Sequence, residues 1–141
     1  MQQEHQDEGT SHHYLKHAKF AFASKKLTKN LFVKLTEQLT SKRIQLGSSW
    51  TIDAPYRETL KELKRYRSEG VLTVEMEASA VFSVGQVRNV ETSAVFIISD
   101  LLSEKGWKPE FRSKIVLENL VEVFAPVKEV LARHLVFDHL L

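Results

Sequence analysis

Two carboxylates flank a methionine in Val74-Glu75-Met76-Glu77-Ala78-Ser79-Ala80, where a short β-branched run gives way to an apolar-periodic segment. The run Val71, Leu72, Thr73, Val74 reads as a strand, and Met76 to Val87 as a helix turning Ala78, Val81 and Phe82 inward. Acids at a strand tip project their oxygens from the sheet edge, where open α/β sheets bind ligands. An ionised carboxylate only accepts hydrogen bonds, so its natural partner is a vicinal diol or a pair of N–H donors. The second chemical candidate is Ser99-Asp100, which follows the unbroken apolar run Ala94-Val95-Phe96-Ile97-Ile98. An aspartate desolvated by such surroundings suits general acid work. The plainer alternative is a cap on the segment that follows.

The elements that must position these groups follow from periodicity. Residues 1–8 are polar and acidic and read as unstructured or as a torn strand end. Leu27, Leu31, Phe32, Leu35 and Leu39 recur at helical spacing, with Gly47 beyond the end. Ile44 to Thr51 reads as a strand carrying Trp50, and Asp53-Ala54-Pro55 as a turn, because the residue before proline avoids the helical region. Glu58 to Arg67 is a charged surface helix stopped at Glu69-Gly70. Ala94 to Ile98 has the unbroken apolar character of a central parallel strand, with Asp100 just past its end. Leu101 to Pro109 reads as a loop, and Phe111 to His134 as a long helix kinked or divided at Pro126. The alternation of strand and helix favours a layered α/β fold. No repeat or low-complexity linker interrupts it.

Composition narrows the classes. Of 141 residues, 43% are hydrophobic and 27% charged, an ordinary globular balance. A net charge of +2 is too small to argue for nucleic acid or an anionic membrane as partner. The chain has no cysteine, which removes disulfides, zinc ribbons and thiol catalysis. No apolar run reaches the ~18 residues of a membrane span. The start does not read as a secretory signal, so the expectation is a cytoplasmic protein. His12, His13 and His17 cluster near the start, but no second ligand pair follows at metal spacing, so an ordinary loop is the better reading and no metal is expected.

Val74 to Ala80, with Ile97-Ile98-Ser99-Asp100 further on, resembles the nucleoside phosphorylase family that includes purine and uridine phosphorylases. Gly9-Thr10-Ser11-His12-His13-Tyr14-Leu15 and the stretch Ser49 to Thr59 fit the same family in the same order. The resemblance implies a three-layer α/β/α nucleoside-phosphorylase-like fold, and it covers only the C-terminal half of a family subunit. The expected domain is therefore an incomplete one over residues 1–141, a split or truncated product with residues 1–8 loose.

The resemblance also assigns roles. Glu77 would accept from the ribose hydroxyls, with Met76 against the sugar or else an ordinary core methionine. Glu75 would help the sugar site, hold an arginine, or hold the helix N-terminus. Asp100 would be the catalytic acid facing the base, with Ser99 supporting it. Trp50 and Tyr56 would line the base pocket, although Trp50 fits a core equally well. Thr10 would contact ribose and phosphate, the co-substrate; no other cofactor is implied.

One departure stands out. The family pattern has an arginine just before the Gly-Thr pair to clamp phosphate, whereas this chain has Gln6-Asp7-Glu8. Three readings follow. The leading one is phosphorolysis of a purine or uridine nucleoside; the others are hydrolysis by the same fold, and a non-catalytic fragment binding nucleoside or a complementary chain. A homo-oligomer or a complementary N-terminal chain is the expected partner, and weak phosphorolysis the expected behaviour of this chain alone.

Overall fold

The computed structural model describes residues 3–16 and 19–138. These fall into two units, one within Met1–Lys25 and Leu46–Ala94, the other within Lys26–Gln45 and Val95–Leu141.

The first unit is built on a four-stranded sheet in the order β2-β1-β3-β4. Its strands are β1 (Gln3–Asp7), β2 (Phe20–Phe22), β3 (Ser48–Ile52) and β4 (Val71–Glu75). β1 pairs antiparallel with β2, while β1 with β3 and β3 with β4 are parallel. Residues 3–7, expected to be loose or a torn strand end, thus form an interior strand. Main-chain groups make the ladder, and a polar sequence carries them as well as an apolar one.

β3 shows how the sheet acquires two covered faces. Side chains alternate along a strand. Trp50 and Ile52 turn to one face and pack on Tyr66, with Ala54, Val71 and Val74 around them. Tyr66 belongs to α3 (Leu60–Ser68), which begins at a capping box: Thr59 Oγ1 accepts from the Glu62 amide, and the Glu62 carboxylate accepts from the Thr59 amide. Such a cap contributes ~1 kcal/mol. Ser49 and Thr51 turn to the other face, where α4 (Ala78–Arg88) and the short α1 (Ser11–Tyr14) lie. α4 buries Phe82, Ala78, Ser79, Ser83 and Gly85, the small residues allowing a close approach. Asn89, at φ 54°, closes α4 in the left-handed conformation that asparagine tolerates. Helix, sheet and helix give the layered α/β architecture.

The second unit holds α2 (Lys25–Gln38), the hairpin of β5 (Asp100–Ser103) and β6 (Gly106–Pro109), and α5 (Lys114–Asp138). Leu27 and Leu31 of α2 pack on Val130, with Val127 beside them. Lys34 pairs with Glu129 at 2.5 Å, and Lys42 with Glu122 at 3.1 Å. α5 runs through Pro126 as one helix, not two. Among the described residues no helix is long and apolar enough to cross a membrane.

Two sequence expectations fail here. Ala94 to Ile98, expected as a central parallel strand, carries no strand, and Val95 and Ile98 are exposed. An apolar run signals a wish for burial, but it has no period, and a strand also needs a hydrogen-bonding neighbour. Leu101 to Pro109, expected as a loop, is instead most of a hairpin, turned by Gly106 at φ +120°. Asp100 consequently opens β5 and does not follow a buried strand.

Candidate functional site

The two acids after β4 have opposite fates. Glu75 ends the strand and turns back onto the start of α4: its Oε2 accepts the amides of Glu77 at 2.8 Å and Ala78 at 2.6 Å. Its other oxygen accepts the Thr51 hydroxyl. Glu75 thus holds the helix N-terminus, one of the three roles open to it, where a carboxylate is favoured by both orphan amides and the helix dipole. Glu77 occupies the N-cap position itself, yet its side chain makes no capping bond. Its carboxylate is exposed and has no partner among the described residues. Met76, 43% exposed, lies between them, so it is not an ordinary core methionine.

Behind this turn runs a buried polar network. Thr51 Oγ1 accepts the Ser79 amide at 3.1 Å, and Ser79 Oγ donates to Glu8 Oε1 at 2.9 Å. Glu8 also accepts the Thr10 amide at 2.6 Å and the Ser11 amide at 3.0 and 3.1 Å. Ser11 Oγ lies 3.3 Å from Ser79 Oγ. Glu8 is 7% exposed, and Thr51, Ser11 and Ser79 are fully buried. Nearby, the Gly9 amide donates to Asp53 at 3.1 Å. Thr10 and the Glu75–Glu77 turn, which the sequence assigns to one site, are therefore joined through Glu8, Ser79 and Thr51.

Burial pushes the Glu8 carboxyl up, but the hydroxyls of Ser11 and Ser79 and the amides of Ser11 and Thr10 outweigh it and hold it below the ordinary value of 4.5. The unfolded chain then takes up this proton first as the pH falls. The contribution of these bonds is full above about that ordinary value and is lost as the pH drops through the lower folded value. The thermal midpoint of the wild type should therefore fall more steeply below pH 4.5 than that of Glu8→Gln, which has no carboxyl to protonate. Parallel curves for the two proteins would contradict this.

The remaining candidates separate. Trp50 is 2% exposed and stacks on Tyr66 at 4.5 Å between ring centres, so of its two readings the core is the one it occupies. Tyr56 is fully exposed on the 3₁₀ turn Pro55–Arg57. It borders a surface depression with Asp53, Arg57, Lys61 and Arg65, which neither Glu77 nor Asp100 lines. In the second unit Asp100 accepts from Ser99 Oγ at 3.0 Å and from Trp107 Nε1, across the hairpin, at 2.6 Å. Trp107 in turn packs on Phe111. His12 and His13 are exposed on α1, and His17 lies outside the described residues.

Sequence reasoning missed Glu8, Thr51 and Ser79 as partners. Glu8 was legible only as a charge beside a supposed phosphate site. The available signal was local: an acid just before Gly-Thr-Ser can reach the free amides at the start of the following helical turn.

The model of the phosphorylase superfamily matches residues 2–132. The chain belongs to that superfamily. Among solved structures it is similar to AMP nucleosidase from Bacteroides thetaiotaomicron VPI-5482, at 22% identity and a TM-score of 0.65, over 93% of this chain and 54% of that one. It is also similar to uridine phosphorylase from Vibrio fischeri ES114, at 20% identity and a TM-score of 0.51, over 90% of this chain and 49% of that one. At such identities the likeness concerns the fold alone. The chain spans about half the length of these structures. Superfamily membership and the α/β fold thus agree with the resemblance read from the Met-Glu and Ser-Asp segments.

Proposed function

We propose that this chain supplies the sugar-binding part of a site that cleaves the N-glycosidic bond of a nucleoside. The observation that carries this is the division of labour at the end of β4. Glu75 satisfies the start of α4, which leaves the Glu77 carboxylate exposed and unpartnered beside Met76. A cap that another acid already provides gives Glu77 no structural task. A free carboxylate next to a soft apolar side chain suits a vicinal diol on an apolar sugar face. Asp100, which accepts from Ser99 and Trp107, is the proposed acid for the leaving base. The base would be a purine or uracil. The solved relatives are named for AMP and for uridine, and both classes of base therefore enter the test.

A second reading, hydrolysis in place of phosphorolysis, is favoured by one specific observation. The amides of Thr10 and Ser11 point at the Glu8 carboxylate and are engaged by it. A phosphate dianion at Thr10 would have to displace or face that negative charge. For partners we infer a homo-oligomer or a complementary chain, supported by Leu117, Val121 and Phe124 standing exposed on α5.

The test is base release from inosine, uridine and AMP, with and without phosphate, beside sedimentation of the same sample. Phosphorolysis requires release that rises with phosphate, and hydrolysis requires release indifferent to it. We expect the chain alone to be weak in both and to self-associate. A monodisperse monomer with robust phosphate-dependent release would overturn the hydrolytic reading and the inferred partner together.

A further inference from the structure

We propose that Glu8 is a positioning residue for the Met76–Glu77 turn, acting through Ser79, Thr51 and Glu75. The inference rests on the reading of Glu77 as the sugar contact and extends it to the group that fixes where Glu77 stands.

The geometry runs in one connected path. Glu8 Oε1 receives the Ser79 hydroxyl, which tethers the first turn of α4 to the segment after β1. The Ser79 amide donates to Thr51 Oγ1, and that hydroxyl, its lone pair so engaged, turns its own proton to Glu75 Oε1. The second oxygen of Glu75 then holds the amides of Glu77 and Ala78. Ser79 joins the two halves of the path through its own backbone, its hydroxyl held by Glu8 and its amide by Thr51, and the Thr51 hydroxyl has one proton to give, to Glu75. Met76 and Glu77 are thus bracketed between a strand end and a helix turn that both report to one buried carboxylate. A network of this kind is strong when complete and costly when one member is wrong.

Besides reaching Ser79, Glu8 holds the amides at the start of α1, so the same carboxylate ties α1 to α4. It makes no salt bridge among the described residues. Every group around its carboxylate is a donor: two amides and the serine hydroxyls. A neutral glutamine of the same shape would turn an N–H₂ toward one of those donors and break the sequence of bonds. Its removal should loosen the turn without touching the exposed surface of Glu77.

Amide hydrogen exchange on the full chain tests this without any ligand. In Glu8→Gln the protection of the Glu77 and Ala78 amides should fall about tenfold, the loss of one net hydrogen bond of ~1.4 kcal/mol. Ser79→Ala, which keeps the helix former and removes only the donor, should do the same if Glu8→Gln folds poorly. Unchanged protection at both amides in either folded variant would overturn the proposal. A cycle with inosine binding separates positioning from mere scaffolding. Glu8→Gln should weaken binding about tenfold in the wild-type background and less than about twofold in Glu77→Ala, where nothing remains to be positioned. Equal losses in both backgrounds would overturn it. Should Glu77→Ala leave inosine binding untouched while protection still falls, the ribose reading is what fails, and the anchoring of the turn by Glu8 is upheld.

Discussion

Trp50→Ala should destabilise the first unit by about 3–5 kcal/mol, enough to unfold a marginal domain at ambient temperature. The side chain is 2% exposed, stacks on Tyr66 and touches the cluster that includes Ile52, Val71 and Val74. Truncation removes the largest fully buried side chain and leaves a hole that β3 and α3 cannot close without moving the sheet. Trp50→Phe should cost much less, about 1–2 kcal/mol, because the Trp50 Nε1 has no hydrogen-bond partner to lose. The pair of variants also separates core from site. If Trp50 lined the base pocket, Trp50→Phe would alter nucleoside affinity with little change in the denaturation midpoint. The packing on Tyr66 predicts the reverse, a lowered midpoint with affinity unchanged, measured by urea titration beside a binding isotherm.

Glu77→Ala carries the largest expected effect on function. In an active assembly it should weaken nucleoside binding and lower kcat/KM in proportion, with kcat little changed, because a sugar contact serves ground and transition states alike. Loss of the charged acceptor for the sugar hydroxyls should cost about 1.5–3 kcal/mol in all, or roughly ten- to a hundredfold in affinity. Stability should hardly move, since the side chain is exposed and caps nothing. Glu75→Ala should behave oppositely, lowering stability through two lost amide acceptors and the Thr51 bond. Asp100→Asn should lower turnover with little effect on affinity, because an amide cannot deliver a proton as an acid. Wild-type kcat/KM in Glu77→Ala together with wild-type turnover in Asp100→Asn would remove the proposed mechanism.

Much of this architecture was legible because its signals are local. Trp50 and Ile52 alternate with Ser49 and Thr51, and the β-branched run before Glu75 hands over to small residues that lie flat on a sheet. Thr59-x-x-Glu62 spells a capping box, and Gly70 at φ +83° marks the stop of α3. The misreadings have equally definite causes. Residues 3–7 look like a solvated tail because their apolar content is low, although an interior strand is defined by its main-chain partners. Ala94 to Ile98 looks like a core strand because its apolar content is high, but that content carries no period and says nothing of a pairing neighbour. The pairing of Glu8 with Ser79 joins residues from opposite ends of the first unit, and no spacing rule within a window of sequence can find it.

The interior place of β1 bears on how the chain folds. β1 pairs with β2 nearby, but its parallel partner is β3, with Glu4 opposite Ser49, and the α2 segment intervenes in the chain. Parallel ladders close only after the intervening chain has been restrained, so the loop entropy is lost before the pairing is gained. The β1–β2 ribbon can form early and wait with one edge open until Ser48–Ile52 arrives. That waiting edge is where a second molecule can compete for the same hydrogen bonds, so refolding yield should decline as protein concentration rises.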